Sequence, residues 1–447
     1  MDMHSALAAI RFGTGLSPRI PAPDGPGDVI AQLEGPDRAL EAFPALAWSE
    51  AAAEARDWSR LRRARRDGPA EREAYTQHNR HIAERNANEV GDIIARGAVT
   101  DQPFRERLAW FWADHFTVTP GRGYLRASVP SYQAELRPHL SGRFADLLEA
   151  AVTHPAMVIY LDQSRSVGPN SQKARNRYGG LNENLAREVL ELHTLGVGAG
   201  YKQADVTELA ELLTGLTVNR DGSPAFNPKA AEPGPETVLG RTYGGDPAAP
   251  DDLRAVLRDL ARHPDTAWHL SGKLARHFVS DRPDRGLVDA MAAKWLATDG
   301  DLRAVYSAML DHPAAWSERL EKVRRPVEYL TAAFRALDVP VPRGRRLTNA
   351  ILRGPLNLMG QSLPGAPAPD GWPEEAEAWI TPQALAARIE WSMRAPVRMQ
   401  SQPQPRDVLQ TALGPLASGR TRFAVEAAET AEAAIGLVLA SPEFQRR

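Results

Sequence analysis

Apolar residues recur at three- and four-residue spacing along most of this chain. No single motif narrows the fold as much. The pattern runs through 49–66, 69–96, 103–116, 128–151, 182–195, 203–215, 250–262, 264–278, 284–297, 299–310, 324–336, 381–393 and 426–440. Such spacing places side chains on one face of an α-helix, whereas a strand needs alternation. Alternation is scarce, and Glu236-Thr237-Val238-Leu239 with neighbouring pieces predicts one small hairpin. The expected class is mainly α: a large, multi-helix, bundle-like assembly with a small β insertion. At 447 residues the chain can bury more than one packed unit. A main helical domain over 1–320 and a C-terminal helical subdomain over 321–447, packed on it, are expected.

Proline marks several helix starts. Pro103, Pro264, Pro313 and Pro382 stand at early helical positions, where the missing N–H costs nothing. His154-Pro155, His263-Pro264 and His312-Pro313 repeat one junction, so these three histidines are expected to be structural. Segments 163–181, 217–249 and 338–380 break the periodicity and read as long irregular connections. Connections of that length in a compact protein are usually functional or disordered.

Composition removes several chemistries. There is no cysteine, so disulfides, zinc–thiolate sites, Cys-ligated iron–sulfur clusters and Cys nucleophiles are excluded. Any metal would need His, Asp, Glu, amide or carbonyl ligands. Net charge is -2, which argues against a general nucleic-acid binder. Six Lys stand against 48 Arg, a bias read as base composition. The arginine run 60–66 lies among Glu54, Asp57, Asp67, Glu71 and Glu73 and reads as a solvated face. No stretch reaches the roughly 20 apolar residues of a membrane span. The N-terminus lacks a basic region before its short apolar run, so a cytoplasmic location is expected.

The densest polar block is Asn182-Glu183-Asn184-Leu185-Ala186-Arg187-Glu188-Val189-Leu190-Glu191-Leu192-His193. On a helix, Asn184, Glu188 and Glu191 share one face, so the two carboxylates converge. Carboxylates one turn apart suit a hard divalent cation or acid–base work. The plainer reading is a helix laced by Glu183–Arg187 and Arg187–Glu191 pairs, with Asn182 or Asn184 as its cap. His193 falls on the neighbouring apolar face with Leu185, Val189 and Leu192. His115 closes the aromatic run Trp110-Phe111-Trp112 and is either a core group or a ligand held dry. Glu208 and Glu211 repeat the carboxylate spacing in the next helix. His78 and His81 read as exposed. Gly196 to Gly200 reads as a helix cap and turn, since it lacks the Lys-Ser/Thr end of a phosphate loop.

Taken in order, Phe12-Gly13-Thr14-Gly15, the Trp112-x-x-His115-Phe116 core, Met157 to Asp162, the Asn182 to Val197 block, Gly200-Tyr201, Asp205 to Glu208, Leu213-Thr214-Gly215, Met359-Gly360-Gln361, Gly371-Trp372-Pro373 and Ser441-Pro442-Glu443-Phe444 resemble the bacterial "domain of unknown function 1800" (DUF1800) family. The resemblance is collinear over nearly the whole chain. It implies a large, mostly helical bacterial protein, with export as the alternative location and the product of a neighbouring gene as partner. Leu181 stands where the family usually has proline before Asn-Glu-Asn, and the 163–181 loop is longer.

Two functions remain open. One is an enzyme with Glu188, Glu191, His115 and Asp162 as catalytic groups. Glu188, Glu191, His115 and His193 would form a hypothetical divalent-metal set, with Asn182, Asn184 and Arg187 orienting. The other is a non-catalytic scaffold in which the same block is a buried hydrogen-bond network.

Overall fold

The computed structural model describes residues 1–119, 128–176, 179–398 and 403–447. Short helices at Met3–Leu7, Pro26–Ala31 and Arg38–Ala42 open the chain. The main helices then follow: α1 Trp48–Ala64, α2 Pro69–Val99, α3 Pro103–His115, α4 Val129–Leu136, α5 Phe144–Thr153, α6 Pro155–Tyr160, α7 Asn184–Glu188 and α8 Gln203–Leu213. Two antiparallel hairpins interrupt them: β1 Leu216–Val218 with β2 Pro224–Phe226, and β3 Glu236–Val238 with β4 Arg241–Tyr243. Helices resume with α9 Pro250–Ala261, α10 Pro264–Phe278, α11 Arg285–Ala297, α12 Leu302–Asp311, α13 Pro326–Leu337, α14 Pro382–Arg398, α15 Pro405–Ala412, α16 Gly419–Glu426 and α17 Ala431–Ala440. The protein is mainly α with a small β insertion, as the periodicity predicts. Among the described residues, no helix is long and apolar enough to cross a membrane.

Local chemistry accounts for the boundaries. His154 Nδ1 accepts from Ala156 N at 3.0 Å, His263 Nδ1 from Asp265 N at 3.2 Å, and His312 Nδ1 from Ala314 N at 3.3 Å. The three His-Pro junctions are therefore imidazole caps, each satisfying one of the free N–H groups of a helix start. Asp284, Asp301 and Thr430 cap α11, α12 and α17 in the same way. The predicted 128–151 helix is instead broken: α4 ends at Leu136, a 3-10 turn covers Arg137–His139, and α5 starts at Phe144. Pro138 and Gly142 explain the break.

One large apolar cluster runs from Ala8 to Ala315 and centres on Trp112, Phe116, Phe144 and Trp295. A second gathers α13–α17 around Tyr329, Phe334 and Trp391, and takes in Val90, Ile93, Ile94 and Ala98 from the far end of α2. Arginines are built into this interior. Arg335 donates to Gly15 O and to the carbonyls of Ala98 and Thr100, closing the C-terminal end of α2. Arg11 does the same for Ala315 and Ser317. The ends of α3, α6 and α7, the middle of α10 and the loop 359–374 meet beside the large cluster, and the candidate site lies there.

Candidate functional site

The Asn-Glu-Asn block folds as α7 followed by a π-turn over Val189–His193. Asn182 Oδ1 accepts from Asn184 N at 2.9 Å, and its Nδ2 donates to Leu161 O at 2.9 Å. Arg187 donates to Glu191 Oε1 at 3.1 Å and to Gln203 Oε1 at 3.0 Å, and its Nη2 lies 3.5 Å from Glu183 Oε2. Glu183 also accepts from Thr207 Oγ1 at 2.8 Å and Gln203 Nε2 at 2.9 Å. Asn182, Glu183 and Arg187 thus clasp α7 to α8 and to the end of α6. Asn184 is exposed.

Glu188 is different. It is half-buried and, among the described residues, makes no hydrogen bond or ion pair, because Arg187 is turned to Glu183 and Glu191. Burial, then the charges of Glu191 and Asp370, raise its pKa above the ordinary carboxylate value. Glu188 and Asp370 in turn act on the half-buried Tyr160, whose pKa is raised first by burial. Tyr160 OH lies 3.1 Å from Thr119 Oγ1, which donates to Ala366 O at 3.0 Å. Tyr201 stands beside Glu191, and burial, then the Glu191 charge, raises its pKa. Asp370 reaches this rim because Gly371 sits at φ +85°, where a Cβ would lie 2.8 Å from Asp114 O.

A basic group lies nearby. Lys273 Nζ is 3.1 Å from His115 Nδ1, and His115 Nε2 is 3.2 Å from His193 O. This arrangement assigns the tautomer: the ammonium donates to Nδ1, and Nε2–H donates to the carbonyl. Burial, then Lys273, pushes His115 well below the usual histidine value, His193 to about 3 and His269 to about 4. These histidines are neutral at physiological pH. Lys273 is lowered by burial, with Asp114, Glu374 and Asp370 opposing the shift. Among the described residues, His193 Nδ1 and His269 Nε2 are buried without hydrogen-bond partners.

Beneath Asp370 runs a buried ionic network. Arg325 bonds Asp114 Oδ2 at 2.8 Å and Glu374 Oε1 at 2.5 Å, while Asp114 Oδ1 accepts from Trp372 N at 2.8 Å. His277 Nδ1 lies 2.7 Å from Glu374 and its Nε2 3.1 Å from Arg107, which is 3.2 Å from Glu328. Arg447 bonds Glu328 at 2.8 Å. A cavity of about 60 Å³ is bounded by Asp114, Gln133, Arg325, Gln361 and Trp372.

The residues expected from sequence divide accordingly. Glu188 and Glu191 are neighbours, as the helix face predicts. His115 and His193 are neighbours of each other. Asp162 is exposed in left-handed conformation (φ 55°) and pairs with Arg165 at 3.5 Å. Donor atoms of Glu188, Glu191, His115 and His193 do not gather as a metal cage. Among the described residues, the set whose donor atoms all lie within 4.8 Å of one another is Glu208, Glu211 and Glu236. Burial and the two neighbouring carboxylates hold Glu236 at about 9, so it is protonated at neutral pH. When ionised, this trio has the oxygen set a hard divalent cation takes. Sequence reading missed Lys273, Asp370, Asp114, Glu374 and Glu236. Lys273 was findable, being one of six lysines and four residues after His269 on one helix.

Fold and site together define a large helical protein with an acidic rim beside a neutral-histidine and lysine cluster. A family model described as "Protein of unknown function (DUF1800)" matches residues 9–446, and the chain belongs to that family. No curated protein and no solved structure matches it.

Proposed function

We propose that this protein is an enzyme using general acid–base chemistry at Glu188, with hydrolysis as the reaction class. The observation that carries the reading is the half-buried Glu188 carboxylate left without a partner beside Glu191, Asp370 and Tyr160. A desolvated, unpaired carboxyl costs stability, and one retained in a cleft is a candidate for function. With its raised pKa, Glu188 holds a proton to higher pH and can pass it to a leaving group. Glu191, held by Arg187, or Asp370 is the second carboxyl, placed to take the part of the base. Lys273 and the neutral His115 supply positive charge and a fixed imidazole close by. His193 packs beneath, and Asp162 has no part in the reading. The division near residue 320 into two helical units belongs to the same proposal and is supported by the two apolar clusters.

A scaffold acting with a neighbouring gene's product is the second reading. It is favoured by the full engagement of Asn182, Glu183, Arg187 and Glu191 in holding α7 to α8. Glu188→Gln separates the two. The enzyme reading expects unchanged or higher stability at pH 8, where the ionised carboxylate is most costly, and loss of turnover on a panel of chromogenic esters, glycosides and peptides. Here the sign follows from linkage: a folded pKa raised above the unfolded value removes stability as pH rises through it. A drop of more than about 1 kcal/mol in the variant, with full turnover retained, would refute the proposal.

A further inference from the structure

The antiparallel pair α1–α2 carries a second feature, far from Glu188 in the sequence. No residue between Ser49 and Glu89 belongs to an apolar cluster of the core, and polar contacts such as Arg56 to Asp221 O and Arg345 N to Glu84 tie the pair to the rest of the chain below its tip. At its tip, Trp58, Ser59, Arg62, Arg63, Arg65 and Arg66 line an open surface depression of about 450 Å³. The tip is organised by aromatic rings. Trp58 Nε1 donates to Asn79 Oδ1 at 3.1 Å, and Asn79 Nδ2 donates to Tyr75 O at 2.8 Å. Arg62 lies over the Trp58 ring at 5.1 Å, and Arg65 over the Tyr75 ring at 5.3 Å. Stacking leaves the planar guanidinium edges free to donate.

The acidic neighbours do not neutralise these groups. Asp57 pairs with Arg60 at 3.0 Å, and Glu73 accepts from Gln77 at 3.0 Å. Among the described residues, Arg62, Arg63, Arg65 and Arg66 have no carboxylate within ion-pairing distance. Four cations gathered without counter-charge repel one another, and two of them are held in place by rings. A solvated face would instead show the interspersed pairing that α7 shows.

We infer that this depression binds an anion bearing two adjacent phosphate groups, a diphosphate. Each guanidinium can grip phosphate oxygens bidentately, and four positive charges spread over more than one helical turn match the charge and length of a diphosphate better than those of one orthophosphate. The inference is independent of the Glu188 proposal.

The test is calorimetric titration of the full-length protein with inorganic pyrophosphate at low ionic strength, alongside orthophosphate and sulfate. One-to-one binding is expected, at least tenfold tighter for pyrophosphate. Arg62→Gln/Arg66→Gln should weaken it at least tenfold without changing the melting temperature, since both side chains are exposed. Arg62→Lys/Arg66→Lys keeps the charge and loses the fork, so its affinity should fall between. Phosphatidylcholine vesicles doped with a prenyl diphosphate distinguish a lipid headgroup from a soluble source: tighter binding to these vesicles than to pyrophosphate indicates the lipid, and equal or weaker binding the soluble anion. Absence of pyrophosphate binding at millimolar concentration, equal affinity in Arg62→Gln/Arg66→Gln, or binding of a single-stranded oligonucleotide without competition by pyrophosphate would each overturn the inference.

Discussion

Replacing Glu236 by glutamine should make this protein more stable, and more so as pH rises. Glu236 opens β3, opposite Tyr243, and faces Glu208 and Glu211 of α8. The hairpin is docked there by Glu208 Oε2, which accepts from Thr237 N, and by Asp205 Oδ1, which accepts from Leu239 N, both at 2.7 Å. Burial and the two carboxylates raise Glu236 from an ordinary 4.5 to about 9. In the unfolded chain the group ionises in the usual range. Between those two values the folded state holds one proton that the unfolded state has released. Stability present below about pH 4.5 is then lost as pH rises, at about 1.4 kcal/mol per pH unit, and the loss levels off near pH 9. By pH 7 the ceiling is about 3 kcal/mol for one proton shared in the trio. A glutamine side chain carries no charge at any pH, and its amide N–H can donate where the acid O–H did.

The two proteins should therefore match in urea denaturation near pH 5. The variant should gain about 2–3 kcal/mol at pH 7 and more at pH 8.5. Amide exchange in β3 and β4 should slow in the variant at the higher pH, locating the effect in the hairpin. Parallel stability–pH curves for the two proteins, or a variant less stable at pH 8.5, would show that the trio does not share a proton.

Other substitutions probe the remaining links. Arg325→Met leaves Asp114 and Glu374 buried without their shared cation, and should cost about 3–5 kcal/mol in urea unfolding. Gly371→Ala forces a Cβ to 2.8 Å from Asp114 O at φ +85°, and should cost about 1–3 kcal/mol while displacing Asp370. Lys273→Met removes the charge bonded to His115 Nδ1; the His115 pKa, read from imidazole NMR shifts against pH, should rise toward its ordinary value. An unchanged titration would mean that burial alone sets it.

How much of this is legible in the chain depends on the range of each interaction. Helical spacing and the His-Pro junctions are local, and they place most helices correctly. The break between Leu136 and Phe144 is marked by Pro138 and Gly142, but the apolar spacing continues through them and hides it. The π-turn at Val189–His193 leaves no local mark, since an inserted residue preserves apolar spacing on both sides. The Asp114–Arg325–Glu374 pairing spans 211 and 49 residues, and no periodicity encodes contacts of that range. Arginine abundance reads as base composition, yet Arg11, Arg107, Arg388 and Arg447 are among the largest fully buried side chains.

The Asn-Glu-Asn block shows where local reading stops. Spacing allows two incompatible roles for its charges, a salt-bridged lattice or a convergent carboxylate pair. Both expected ion pairs form, Arg187 with Glu183 and with Glu191. One arginine cannot also serve a third carboxylate one residue along, on a different bearing around the helix. Its engagement is what isolates Glu188. The lattice and the free carboxylate are then parts of one arrangement: Asn182, Glu183 and Arg187 fix α7 against α8 and α6, and that rigidity keeps Glu188 half-buried and unpaired beside Asp370. Loosening the clasp with Arg187→Ala should therefore act on Glu188 as well as on Glu191. It removes a charge that favours the ionised carboxyl, so the pKa of Glu188, followed by carboxyl NMR shifts against pH, should move further up. A downward move would mean that the clasp, once released, lets water reach Glu188, and that the rigidity of α7 outweighs the charge of Arg187 in setting it.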